Sequence, residues 1–79
     1  MARKPEAVEA CHQAVGARVR MIRETLGLQQ EELAKRTGLT RGSIANIETG
    51  RQRLLLQTVE KLARGLGTSP KVLMRGVWW

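Results

Sequence analysis

The feature that most constrains the fold is a series of apolar residues spaced three and four positions apart and interrupted by glycines. In the first third of the chain these residues are Val8, Cys11 with His12, Val15, Val19, Ile22 and Leu26. Such spacing places side chains on one face of an α-helix. No segment alternates apolar and polar residues between turn residues, as a half-buried strand would. The pattern therefore predicts an all-α chain.

Glycines and capping residues divide the chain into five predicted helices. The first is either one long helix from Pro5 to a stop at Gly27, or an arm followed by a helix that begins near Ala14. Gly16 lies in the middle of the long version. Because glycine is a poor helix former, Gly16 favours the second version.

The other four predicted helices are short. They cover about residues 29–37, residues 40–49 with Thr40 as N-cap, residues 57–65, and a last helix opened by Ser69 and Pro70. We expect an N-terminal arm or helix extension over residues 1–13, a domain over residues 14–76 and an apolar tail over residues 77–79.

The charge balance points to a polyanionic partner. Lys and Arg total 14 against 7 acidic residues, which gives a net charge of +7. Ten of the cations are Arg, whose planar guanidinium makes paired hydrogen bonds to phosphates and base edges. A small basic domain of this kind is typical of nucleic-acid binding, and a merely solvated basic surface is the alternative.

Several other classes of function lack the residues they need. The single cysteine, Cys11, cannot form an intramolecular disulfide and fits a reducing, cytoplasmic location. Cys11 and His12 are too few for a zinc site, no Asp is available to orient the histidine, and no glycine-rich phosphate loop occurs. No apolar run approaches the roughly 18–20 residues of a membrane span. We expect no metal, no cofactor, no membrane contact and no enzymatic activity.

Residues 30–48 have the pattern of a helix-turn-helix. Ala34 is small where two helices must cross, and Gly38 lies at the turn between them. Apolar residues close the inner side of this unit: Leu33, Leu39, Ile44 and Ile47. Each position is weak evidence alone, but together they favour a helix-turn-helix.

At these residues the chain resembles the Cro/C1-type helix-turn-helix family of phage repressors and small bacterial regulators, over about residues 14–74. The matching motifs are Arg23 in helix 1, Gln30–Leu33–Ala34 in helix 2, Ser43–Ile44–Ile47–Glu48–Gly50 in helix 3, and Leu62–Ala63–Leu66–Gly67 in helix 4. The resemblance implies a compact five-helix bundle of lambda-repressor-like type. Gln29 replaces the family's usual Ser or Thr N-cap, and Leu54–Leu55 replaces a common Pro–Ser pair. The second departure leaves the start of helix 4 open.

The resemblance also implies which residues contact DNA. Helix 3 would enter the major groove, with Arg41, Gly42, Ala45 and Asn46 facing bases. Arg can bond guanine, Asn can bond adenine, and an Ala methyl can contact a thymine methyl. The candidates for the phosphate backbone are Gln30, Thr40, Ser43, Thr49, Arg51 and Arg53. Gln52 contacts either the sugar-phosphate backbone or solvent.

Further expectations concern pairing and assembly. By the resemblance, Arg23 and Glu48 form a structural ion pair between helices 1 and 3. Apolar residues near the C-terminal end make a dimer interface or pack on their own domain: Val72, Met74, Val77, Trp78 and Trp79.

The expected function is that of a sequence-specific transcriptional regulator that binds double-stranded DNA. We expect it to act as a repressor, in the form of a homodimer on a two-fold operator. A protein partner such as RNA polymerase or a toxin is also compatible with the sequence. The alternative function is a protein-binding module such as a toxin-neutralising antitoxin that also autoregulates its promoter. Its protein partner would bind the apolar C-terminal end or the N-terminal arm, with residues 1–13 as the expected contact segment.

Overall fold

The structure, a computed structural model, describes the backbone of residues 5–77 and the side chains of residues 9–77. Its helices are α1 (Pro5–Thr25), α2 (Gln30–Thr37), α3 (Arg41–Glu48), α4 (Leu56–Gly65) and α5 (Pro70–Met74). Turns and loops connect them, and no strand occurs among the described residues. The predicted all-α, five-helix architecture is confirmed.

Helix α1 is longer than the favoured prediction. It runs without a break through Ala14, so a helix start at that residue is wrong. Gly16 serves packing instead of marking a boundary. A methyl group added at Gly16 would overlap the carbonyl oxygen of Ile47, so the missing side chain lets α1 lie directly against the end of α3.

The apolar face assigned to the first helix also needs one correction. Leu26 lies beyond the end of α1 at Thr25 and is 51% exposed. The chain turns at Gly27, whose φ is +73°, and Leu28 is the residue that enters the interior. The side chain of Val8, the first residue of that predicted face, lies outside the described residues.

Capping explains where the shorter helices begin. The Thr40 hydroxyl accepts a hydrogen bond from the Ser43 N–H at 3.0 Å, which satisfies one free donor at the start of α3. At the start of α2, where Gln29 is the N-cap, the Glu32 carboxylate accepts from the Gln29 N–H at 3.0 Å. Helix α4 begins at Leu56, one residue before its predicted start.

The core joins all five helices. Helix α1 packs against α3 and α5, α2 packs against α3 and α4, and α4 packs against α5. Every helix contributes buried side chains: Val15, Val19, Leu33, Ala34, Ile44, Ile47, Val59, Leu62, Ala63, Leu66 and Leu73. Burial of each large aliphatic side chain contributes about 1.5–3 kcal/mol. Helix α3 is thus held on one side by two neighbouring helices. Among the described residues, no helix has the length and hydropathy to cross a bilayer.

Candidate nucleic-acid interface

Helix α3 has one buried and one open side. Ile44 and Ile47 are fully buried and Glu48 is nearly so, because these residues face α1 and α2. The four residues predicted to contact bases lie on the other side of the helix. Arg41, Gly42 and Asn46 are exposed, and Ala45 is half-buried. The structure therefore places these four residues on one surface of a helix that α1 and α2 hold in place.

Gly42 stands in open space. No heavy atom lies within 4 Å of the position that a Cβ would occupy there. Its φ is negative, so neither the backbone conformation nor a close contact within the protein requires glycine. The residue leaves the first turn of α3 unobstructed toward an incoming ligand.

The six predicted backbone-contacting residues surround this surface. Gln30 begins α2 and is half-buried, whereas Thr40 and Thr49 cap the two ends of α3 and are exposed. Ser43 is half-buried, and its hydroxyl donates to Oε1 of Gln52 at 3.2 Å. The Gln52 amide, whose place was open from the sequence, ties the loop after α3 back to the helix. Arg51 and Arg53 lie exposed in that same loop.

Helix α1 holds the loop of residues 51–55 at two points. Nη2 of Arg53 lies 2.9 Å from Oε1 of Glu9, with both side chains substantially exposed. The Leu54 N–H donates to Nδ1 of His12 at 3.0 Å. The apolar spacing places His12 on one face of the first helix but does not predict this contact. Glu9 and His12 are three residues apart, which places them on the same face of a helix. This shared face is the sequence feature that relates His12 to the loop contact.

An ion pair lies beneath α3. Nε and Nη2 of Arg23 donate to the two carboxylate oxygens of Glu48 at 2.6 and 2.9 Å, and Nη1 donates to the Leu28 carbonyl at 2.7 Å. The Arg23 and Glu48 side chains are only 10% and 2% exposed. The hydrogen bond to Glu48 and the nearby negative charges of Glu48 and Glu24 raise the pKa of Arg23, against the opposing effect of burial. Arg23 is therefore fully charged at neutral pH.

Gln30 connects this ion pair to the surface. Its Nε2 donates to Oε1 of Glu48 at 3.0 Å, and its Oε1 accepts from Nη1 of Arg41 at 3.3 Å. Gln30 and Arg41 are eleven residues apart and lie on different helices, so helical spacing gave no indication of this contact. The hydrogen bonds form a chain from the interior to the first residue of α3.

The apolar residues near the C-terminal end have mixed environments. Val72 is 38% exposed, whereas Met74 and Val77 are half-buried and pack on the core. Trp78 and Trp79 lie outside the described residues. Sequence reasoning missed two more candidates for an interface, Leu55 and Leu56, which are 60% and 76% exposed. Leu56 and Met74 line one small apolar pocket that also includes Cys11 and His12.

The described residues contain no group of three or more side chains suited to hold a metal ion. Cys11 is buried, and its Sγ donates to the Val77 carbonyl at 3.7 Å. Nδ1 of the neighbouring His12 accepts a hydrogen bond from the Leu54 N–H. The candidate site is therefore the polar, basic surface formed by the open side of α3 and the loop of residues 51–55.

Comparison with known proteins gives consistent matches. A helix-turn-helix family model (HTH_3) matches residues 19–73. The chain is 38% identical over 60 residues to the control protein C.BamHI of Bacillus amyloliquefaciens, an alignment that covers 75% of this chain and 74% of that protein.

Two solved structures show the same architecture. The restriction-modification controller protein C.AhdI from Aeromonas hydrophila matches with a TM-score of 0.73 and 33% identity, over 89% of this chain and 98% of that one. The P22 c2 repressor, in complex with a synthetic operator, matches with a TM-score of 0.73 and 28% identity, over 81% of this chain and 97% of that one. These likenesses confirm the predicted repressor-like type of bundle.

Proposed function

We propose that this chain, which belongs to the helix-turn-helix family of DNA-binding transcriptional regulators, binds a two-fold operator as a homodimer and represses transcription. The observation that carries the proposal is the open side of α3. It presents Arg41, Gly42, Ala45 and Asn46 on a helix that α1 and α2 hold in place. The likeness to the operator-bound P22 c2 repressor supports the same use of the fold.

In the proposed complex the first turns of α3 enter the major groove. Arg41 donates to O6 and N7 of a guanine, and Asn46 pairs with N6 and N7 of an adenine. The Ala45 methyl contacts a thymine methyl, while Gly42 lets the helix approach the groove closely. Each such contact of two hydrogen bonds to one base contributes about 1–3 kcal/mol of discrimination against a wrong base.

The phosphate backbone is bound on both sides of the groove. The loop arginines, Arg51 and Arg53, neutralise phosphates, and Gln30, Thr40, Ser43 and Thr49 hydrogen-bond to them. These contacts supply affinity and orientation without sequence information. A net charge of +7 adds long-range attraction to DNA.

A homodimer places two such helices in successive major grooves, about 34 Å apart. Val72, Met74 and Val77 contribute to its interface, together with Trp78 and Trp79. The exposed Leu55 and Leu56 extend this apolar surface to the start of α4. Occupancy of a promoter by the dimer blocks RNA polymerase.

Selection on random double-stranded DNA tests the proposal. We expect enrichment of a two-fold symmetric sequence whose half-sites lie about one helical turn apart. Recovery of no common sequence, while the protein is folded, would contradict specific operator binding. An enriched sequence without two-fold symmetry would support sequence-specific DNA binding but contradict binding as a symmetric homodimer.

A further inference from the structure

We propose that His12 is a positioning residue for the loop of residues 51–55, and that it holds this loop only while its imidazole is uncharged. The inference rests on the proposed function, because it concerns how the loop presents Arg53 to a phosphate. It adds a residue of α1 to DNA binding and makes that binding depend on pH.

The hydrogen bond between the loop and α1 determines the protonation state of His12. The Leu54 N–H can only donate, and it lies 3.0 Å from Nδ1 of His12. Nδ1 must therefore offer a lone pair, so the ring proton lies on Nε2 and the imidazole is neutral. A second proton, on Nδ1, would place two donors against each other. The contact exists only with the neutral ring.

This hydrogen bond lies where it can place Arg53. The Leu54 nitrogen belongs to the peptide group that joins Leu54 to Arg53. At the start of the loop, the Arg51 N–H donates to a carbonyl of α3 at 2.8 Å, and at its end the Leu55 carbonyl accepts the first hydrogen bonds of α4. The contact with His12 lies between these two ends and fixes the backbone next to Arg53.

The surroundings of His12 leave the lone pair as the main effect of protonation. Glu9, one helical turn earlier on α1, would attract a charged ring, and Arg53, which is paired with Glu9 at 2.9 Å, would repel it. These two opposite charges largely offset each other. Cys11 on α1 is buried. The residues of the loop, α4 and α5 that line the pocket beside His12 are apolar: Leu54, Leu56, Val59 and Met74.

The pH dependence follows from the loss of this lone pair. His12 is half-buried, so solvent protons reach the ring. Histidine is the side chain whose charge ordinarily changes between pH 5 and 8. The loop is attached at the upper end of this range and is released as the pH falls. A released loop must be ordered when DNA binds, which lowers the affinity.

Two substitutions at His12 test the positioning role at pH 8. His12→Asn keeps an acceptor, because Oδ1 of asparagine is attached to Cγ as Nδ1 of histidine is, and it does not titrate. His12→Leu removes the acceptor. Fluorescence anisotropy at one salt concentration gives the affinity of each variant for the selected operator and for random DNA. Arg53→Ala and the His12→Leu/Arg53→Ala double variant complete the set, and thermal unfolding checks that each protein is folded.

At pH 8 we expect His12→Leu to weaken binding to both duplexes by about two- to fivefold, because phosphate contacts carry no sequence information. His12→Asn keeps the wild-type affinity. In the Arg53→Ala background His12→Leu adds little, because the loop acts through Arg53. Equal losses in His12→Asn and His12→Leu, or an additive double variant, would overturn the positioning role.

At pH 5.5 the sign of the change separates positioning from charge. An added positive charge, or release of Arg53 from Glu9, would strengthen binding to DNA. We expect the opposite: wild type binds about two- to fivefold more weakly than His12→Asn at pH 5.5, although the two are equal at pH 8. Equal or tighter binding by wild type at pH 5.5 would overturn the pH dependence.

Nuclear magnetic resonance of the free protein follows the attachment without DNA. The Leu54 amide resonance of wild type should shift between pH 8 and 5.5 together with the His12 ring resonances, and should stay in place in His12→Asn. A Leu54 resonance that does not follow His12 would overturn the inference. Failure of the proposed function looks different, because folded wild type would not prefer the operator at either pH while Leu54 still follows His12.

Discussion

At the scale of single residues, two helical glycines have opposite roles. Gly16 lies where α1 meets the end of α3, and any side chain there would overlap the Ile47 carbonyl. Gly42 lies in the first turn of α3 with no atom near its missing Cβ. The resemblance places Gly42 among the base-facing residues, whereas Gly16 has no local signal of its packing role because that role depends on a distant helix.

The two glycines give a paired prediction on stability. Gly42→Ala fills open space and restricts the unfolded chain, so the free energy of unfolding should rise by about 0.5–1 kcal/mol. Gly16→Ala forces α1 away from α3, and we expect a loss of about 1–3 kcal/mol. Urea unfolding of both variants checks this. A stabilised Gly16→Ala would mean that the close approach of the two helices is not tightly constrained.

At the scale of elements, α3 and the loop of residues 51–55 act as one unit supported by α1. The ion pair with Arg23 fixes the end of α3, and His12 and Glu9 hold the loop. In the proposed complex, Glu9 would therefore compete with a DNA phosphate for the Arg53 guanidinium. Both side chains are exposed, so this ion pair is weak and can exchange its carboxylate for a phosphate.

Removal of the competing carboxylate should strengthen DNA binding. Glu9→Gln frees Arg53, and we expect affinity for operator and random DNA to rise by up to about fivefold. The matched control is Glu60→Gln, which makes the same change in net charge at an exposed ion pair with Arg64 on α4. Fluorescence anisotropy at several salt concentrations measures both. An equal rise in the two variants would show that net charge alone, and not Arg53, is responsible.

Some of these elements could be predicted from the sequence and others could not. Thr40, Gly38 and Ser69 mark helix ends through local chemistry, and α2 to α5 begin within one residue of their predicted starts. The long α1 was one of two alternatives, and Gly16 favoured the other because the reason for this glycine is a contact with a helix some thirty residues later. Contacts such as Gln30 with Arg41, or His12 with the Leu54 N–H, depend on tertiary packing and leave no periodic signal.

At the scale of the whole molecule, exposed arginines and exposed leucines follow one another closely along the chain after α3. The proposed DNA surface gathers the open side of α3 and the arginines of the following loop. Leu55, Leu56 and Val72 are exposed apolar residues just before α4, at its start and on α5, and we propose them as part of the dimer interface. In the proposed complex each operator half-site binds one subunit, so the dimer interface sets the spacing of the two DNA-binding surfaces.

The proposed interface can be tested by sedimentation. Leu56→Ser, and separately deletion of Trp78 and Trp79, should shift the dimer toward monomer at the same concentration, because each removes apolar area from the interface. Leu26→Ser is the control, since Leu26 is similarly exposed but lies at the end of α1. An unchanged sedimentation coefficient in both test variants would remove this surface from the interface.

In the proposed complex the open side of α3 determines sequence preference. The most direct test measures the affinity of wild type and Asn46→Ala for the selected operator and for every single base-pair variant of it. We predict that Asn46→Ala loses about 1–3 kcal/mol on the operator and loses discrimination at one base pair in each half-site, with the other positions unchanged. A uniform loss across all duplexes, random DNA included, would contradict this role of α3.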